Sequence, residues 1–246
     1  MLEKKEGVVA ILDVLGFKEM LKKDKPNKIY NNWSSIKKQL NKQLKLDRKI
    51  EKEIGHPIPK IDKYFFSDTI VLFSEICDLN EMFYFYGHVG NLFNYSMLKK
   101  GIFFRGAISY GEYYAEKDIF LGSAIADAGE WHDQADWAGL MITPKTSFLI
   151  KKESQTRHFA FDSFYYSCPV PLRLGRKVNC CTVAWPMLYC WETGFSTVWE
   201  PIKKLRIAVN EAFSKRDIGK DVFSKYQNTY DYMEEIINFY ENIPRE

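Results

Sequence analysis

Apolar and polar positions along this chain alternate between short continuous apolar blocks and longer amphipathic runs. Val8-Val9-Ala10-Ile11-Leu12 is rich in β-branched residues and free of charge until Asp13, which predicts a fully buried strand over residues 8–14. A turn at Gly16 opens a helix from Phe17, which Asp24-Lys25-Pro26 interrupts. A second helix is predicted as far as Ile54, where Gly55-His56-Pro57-Ile58-Pro59 stops it. Residues 60–66 and 69–75 read as a hairpin around Ser67-Asp68. Asp78-Leu79-Asn80-Glu81 has the spacing of a capping box before an aromatic helix that runs to Lys100 and ends at Gly101. Beyond it the pattern predicts a strand at 102–110 with a partner near 112–119, a helix at 121–136 and a strand at 139–143. A short helix near 144–152, strands within 157–185, and helices at 197–215 and 219–242 broken at Asp217-Ile218-Gly219 complete the chain.

The order strand, helices, hairpin, helix, strand is β-α-β-β-α-β, the split unit of a ferredoxin-like sheet. The expected class is therefore α/β (α+β), a ferredoxin-like core with a C-terminal strand and helical extension. At 246 residues the chain can bury a full core. Residues 1–190 are expected to form the main domain and 191–246 a helical extension packed on it.

Composition narrows the function classes. The net charge of +3 is too weak to argue by itself for nucleic acid or a membrane surface. No apolar run approaches the ~20 residues of a membrane span, and the charged start Met1-Leu2-Glu3-Lys4-Lys5-Glu6 predicts no signal peptide. Cys77, Cys168, Cys180, Cys181 and Cys190 show no C-x-x-C spacing, so they read as reduced thiols of a cytoplasmic protein rather than a zinc site. Lys37, Lys38, Lys42, Lys45, Arg48, Lys49 and Lys52, against Asp47, Glu51 and Glu53, form a solvated helix face or, alternatively, a nucleic-acid surface. His56, His88, His132 and His158 are isolated, which opposes a histidine metal site or a Ser-His-Asp hydrolase.

Two carboxylates carry the candidate chemistry. Asp13 closes an apolar strand before Gly16, and Asp68 sits in the turn of an apolar hairpin. In a β-α-β-β arrangement these positions are neighbours. Carboxylates on the rims of buried strands are expensive to desolvate unless something positive meets them. They could converge on Mg²⁺ or Mn²⁺, which take one or two carboxylates and complete their shell with water and phosphate oxygens. Amides at the turn after Asp13 could cradle phosphate. Taken singly, Asp13 also reads as a helix N-cap and Asp68 as a turn residue. Arg105, a charge inside an apolar strand, pairs with a carboxylate or contacts phosphate.

Asp13-Val14-Leu15-Gly16-Phe17 resembles the D-[IV]-x-G-F segment of class III nucleotidyl cyclases, and Ser67-Asp68 resembles the hairpin that supplies their second metal aspartate. The series ILDVLGF, FSDTIVL, FFRGAISYGE and FLGSAI, over roughly residues 7–145, is similar to the bacterial pyrimidine cyclases of Pycsar anti-phage systems. Val170-Pro171-Leu172-Arg173-Leu174-Gly175 and Val183-Ala184-Trp185-Pro186 extend it. The resemblance implies Asp13, Val14 and Asp68 at two Mg²⁺ or Mn²⁺ ions, with Asp13 and Asp68 in catalysis. It implies Val14, Gly16, Phe17 and Tyr64 around the substrate; Arg105, Arg173, Arg176 and Lys177 are the cations of this chain available for substrate and transition state, with Arg173 and Lys177 assigned to substrate binding and Arg105 to catalysis. It also implies a homodimer, UTP or CTP as substrate, a 3′,5′-cyclic nucleotide as product, and a separate effector that senses it. The chain departs from the broader class on the helix after Gly122, where Ala126 and Glu130 stand in place of an asparagine and an arginine. Tyr64 stands where purine cyclases carry a base-reading lysine. A cyclase-fold module that binds nucleotide without turnover, as a sensor or regulator, is the alternative.

Overall fold

The computed structural model describes residues 3–55, 57–76, 78, 81–116, 119–154, 165–192, 199–214 and 220–242. Strand β1 (Lys5–Val14) leads into α1 (Phe17–Lys23) and α2 (Pro26–Ile54). The hairpin β2 (Ile61–Phe66) and β3 (Thr69–Glu75) follows, then α3 (Met82–Lys100) and β4 (Phe104–Glu116). These elements form a sheet in the order β2-β3-β1-β4, with antiparallel pairing throughout. That is the ferredoxin-like β-α-β-β-α-β arrangement expected from the element order. Beyond β4 come β5 (Ile119–Leu121), α4 (Ser123–Trp131), β6 (Gly139–Ile142), α5 (Pro144–Ser154), β7 (Tyr165–Pro171) and β8 (Lys177–Val183). They extend the sheet as β4-β6-β8-β7, with β6 parallel to β4 and β5 paired to the far end of β4. Helices α6 (Trp185–Glu192), α7 (Trp199–Ser214) and α8 (Lys220–Glu241) close the chain. The mixed α/β class with an open sheet is as the sequence implies.

Both faces of β1 are used, as its unbroken apolar run requires. Val8, Ala10 and Leu12 face the main core with Ile36 and Leu40 of α2 and Val89, Leu92 and Phe93 of α3. Val9 and Ile11 face a smaller cluster with Phe73, Tyr113 and α4. The C-terminal helices join the main core: Phe103 packs on Phe213 of α7 and Tyr226 of α8. Arg206 and Glu234 bind α7 to α8 with three bonds of 2.6–3.1 Å. No helix among the described residues is long and apolar enough to cross a membrane.

Four local expectations need correction or completion. Residues 112–116 do not turn back as a partner of 102–110; they continue β4 through Gly111, held by pairing with Lys5 and Glu6 of β1. The pairing of β4 falls instead to Ile119–Leu121. Helix α4 stops at Trp131 rather than 136, because Ala135 bridges to Leu172 and Trp137 is buried against the ring of Tyr232. α6 went unread: it is apolar all round and so shows no amphipathic period. α3 starts at Met82 with Glu81 in the N-cap position and no side-chain capping bond; Leu79 and Asn80 of the expected capping box lie outside the described residues. So do residues 157–164, the break at Asp217–Gly219, Cys77, His56 and His158. Cys168, Cys180, Cys181 and Cys190 are buried thiols.

Candidate functional site

The last residues of β1, the β2–β3 turn and the first residues of β4 meet at one end of the sheet. Asp13 lies directly opposite Thr69 on one side and Arg105 on the other. The hairpin closes at Phe66 and Thr69 with Ser67-Asp68 as its two-residue loop, and Ser67 takes a left-handed φ of 51°. The backbone N–H of Val14 donates to the carbonyl of Asp68 at 3.0 Å, fastening the turn to the end of β1. Gly16, with φ 72° and ψ 25°, then turns the chain into α1, a conformation that disfavours a side chain. Asp13 is therefore not a helix cap; Gly16 occupies that position. Asp68 is a turn residue as read, and its half-buried carboxylate has no hydrogen-bond or ion-pair partner among the described residues.

Asp13 does have a partner. Arg105 donates from Nε at 3.2 Å and from Nη2 at 3.0 Å, both to Oδ2, and from Nη1 to the carbonyl of Asp133 at 2.9 Å. The two side chains are 11% and 17% exposed, so the pair sits largely out of water. Of the two alternatives read for Arg105, pairing with a carboxylate is the one the structure contains. Both bonds fall on one oxygen and leave Oδ1 of Asp13 without a donor among the described residues.

Asp133 was not among the expected site residues. Its Oδ2 accepts from Arg173 at 3.2 Å and its Oδ1 from Gln134 at 2.8 Å, while the backbone N–H of Arg173 donates to the carbonyl of Gln134 at 2.9 Å. The result is a chain Asp13–Arg105–Asp133–Arg173, linked through the backbone carbonyl of Asp133 on one side and its carboxylate on the other. Nothing in the sequence signals Asp133, because its partners lie 28 and 40 residues away. Lys177, across the same turn, is exposed, and no described bond links it to this chain.

Tyr64 shares a sheet face with Asp13, since it is opposite Val71, which is opposite Ile11. Its ring packs edge-on against Phe120 at 4.6 Å and Phe73 at 5.8 Å. On α4, Ala126 and Glu130 are both exposed. The helix is anchored instead by Asp127, whose Oδ2 accepts from Ser109 and Thr143, each at 2.6 Å.

The donors suit a hard cation. Among the described residues no three His, Cys, Asp or Glu side chains form a metal-binding group. A magnesium-type site needs only one or two carboxylates, and Oδ1 of Asp13 with the unpartnered Asp68 supplies them.

No protein-family model and no curated protein matches this chain. Among solved structures it is similar to the adenylyl cyclase CyaB from P. aeruginosa, at 14% identity and TM-score 0.48 over 74% of this chain and 95% of that one. It is also similar to the guanylate cyclase domain of RhGC from Catenaria anguillulae in complex with GTP, at 13% and 0.48 over 74% and 97%. A third likeness is the catalytic core of a rhodopsin-guanylyl cyclase with converted specificity in complex with ATPαS, at 12% and 0.49 over 74% and 96%. At these identities and TM-scores the likenesses assign the chain neither a family nor an activity.

Proposed function

We propose that the chain is a metal-dependent nucleotidyl cyclase that converts a pyrimidine nucleoside triphosphate, UTP or CTP, to the 3′,5′-cyclic nucleotide and pyrophosphate. The observation that carries this reading is the meeting of Asp13 and Asp68 at one end of the sheet, fastened by the bond from Val14 to Asp68, with the Asp68 carboxylate unpartnered among the described residues. The choice of a pyrimidine rests on the four sequence segments that resemble the pyrimidine cyclases.

Two Mg²⁺ or Mn²⁺ ions held by Asp13 and Asp68, beside Val14, would supply Lewis acidity for deprotonating the ribose 3′-hydroxyl and neutralising the triphosphate. The remaining roles fall to this chain's own groups. Asp13 keeps one oxygen for the cation while Arg105 holds the other, so Arg105 orients the carboxylate and adds positive charge beside the α-phosphate. Amides at Gly16-Phe17, not used by α1 at its first turn, face phosphate. Arg173, held by Asp133, and Lys177 flank one turn and serve the triphosphate tail. Tyr64 offers a ring face and one hydroxyl to the base. A homodimer completes the reading, with exposed apolar residues Phe66 at the hairpin and Ile119 and Leu121 on β5 as its surface. The cyclic product would signal phage infection to a separate effector.

One observation favours a second reading, a nucleotide-binding sensor without turnover: α4 carries Ala126 and Glu130 and no lysine or arginine. A single experiment separates the two. Purified protein is incubated with ATP, GTP, CTP and UTP plus Mn²⁺ and analysed by mass spectrometry beside Asp68→Ala. A cyclic pyrimidine nucleotide absent from the variant supports the cyclase and names its base. Metal-dependent nucleotide binding with no product from any of the four supports the sensor.

A further inference from the structure

A cavity of about 470 Å³ lies between α2 and the edge strand β2. Lys37, Leu44 and Arg48 form one stripe of α2 along it, and residues 60–64 form the facing wall. Because β2 ends the sheet, alternate backbone N–H and C=O groups of that wall have no strand to pair with. The carboxylates of the groove are engaged: Asp47 accepts from His88 at 2.8 Å, and Asp62 pairs with Lys60 at 2.9 Å.

Two of the lining cations, Lys37 and Lys63, have no carboxylate partner among the described residues. Lys37 has the ring of Phe65 beneath it at 5.8 Å, and Lys63 has no ion-pair partner among the described residues. Burial holds the Lys63 ammonium below the ordinary lysine range; Asp62 opposes the shift, and Lys37 and Lys60 add to it. Two ammonium groups, from α2 and from β2, therefore border the cavity together with the apolar side chains of Leu44 and Ile58, while Lys60 is neutralised by Asp62. Lys63 is in register with Leu72 and Ala10, on the sheet face opposite Asp13.

We propose that this groove binds a phosphorylated small molecule of nucleotide size, with its phosphates on Lys37 and Lys63 and its apolar part on Leu44 and Ile58. The volume falls in the ~300–1,000 Å³ range of small-molecule sites. Unpaired strand amides and clustered ammonium groups are the donors that phosphate oxygens take. Lys63 is on the sheet face opposite Asp13, and only Tyr64 borders both this groove and the Asp13–Asp68 site, so phosphate binding here stands or falls independently of the cyclase reading.

The test is calorimetric titration of the full chain with inorganic tripolyphosphate in EDTA, which removes the divalent ion that the carboxylates would need to hold phosphate. Saturable binding is expected, weakened about tenfold by Lys63→Gln and by Lys37→Gln and unchanged by Asp68→Ala. Lys37 is an exposed helix position, so its variant keeps the test valid if Lys63→Gln disturbs β2. Absence of saturable binding, wild-type affinity in both lysine variants, or loss in Asp68→Ala would overturn the proposal. So would tighter binding of a single-stranded oligonucleotide that depends on Lys42 and Lys45 as much as on Lys63, since that identifies a nucleic-acid face.

Discussion

Replacing Arg105 by leucine tests how Asp13 is held. The guanidinium donates twice to one oxygen of Asp13, at 3.2 and 3.0 Å, and once to the carbonyl of Asp133 at 2.9 Å. Its removal strands a carboxylate that is 17% exposed. Breaking a fully buried pair costs ~3–5 kcal/mol; the residual exposure of both side chains lowers the expectation to about 2–4 kcal/mol. Urea unfolding with an unchanged m-value measures it. In an Asp13→Asn background the same replacement should cost less, with a coupling of ~1–3 kcal/mol. Metal provides the second arm. A unit positive charge roughly 5 Å from a divalent ion opposes binding by about 1.5 kcal/mol even under water-like screening. Arg105→Leu should therefore bind Mn²⁺ about tenfold more tightly, seen as a larger Mn²⁺-dependent rise in unfolding midpoint. A cost below ~0.5 kcal/mol, or equal costs in both backgrounds, refutes the ion pair as the device that holds Asp13. A variant whose midpoint ignores Mn²⁺ refutes Asp13 as a cation ligand.

Asp68→Ala should change stability by less than ~0.5 kcal/mol, because its carboxylate has no partner to lose; thermal melting checks this, while mass spectrometry should find cyclic product abolished. Gly106→Ala should destabilise by ~2 kcal/mol or more in urea, since a Cβ there meets the carbonyl of Ile11 at 2.7 Å and Cδ2 of Leu12 at 2.6 Å. Burial pushes Cys168 up to about 12 and Cys190 up to about 11. Their neutral thiols resist alkylation at pH 8 until guanidinium unfolds the chain. The unfolded thiols release protons first, so this contribution to stability is full below pH ~9 and lost as pH rises from there toward 12. Urea midpoints between pH 8 and 11 should fall accordingly, and a flat profile would contradict the burial.

Legibility varied with how local the determining contacts are. The hairpin around Ser67-Asp68 could be read because turn chemistry and strand alternation act over a few residues. The continuation of β4 past Gly111 could not, because Lys5 and Glu6, more than a hundred positions earlier, supply its partner. The early end of α4 depends on Leu172 and Tyr232, and α6 is a helix only because apolar neighbours surround it. Lys37 and Lys63 read as residues of separate elements; only the packing of α2 along the sheet edge brings them over one cavity.

By itself the sequence determined the β-α-β-β-α-β order, the two carboxylates and their neighbourhood at the strand ends, since periodicity, caps and turns are properties of consecutive residues. The tertiary structure alone decided which cation Asp13 keeps, that Asp133 joins Arg105 to Arg173, and that Asp68 has no partner among the described residues. Those outcomes depend on register between strands distant in the chain, and a charge settles only against whatever that register places opposite it.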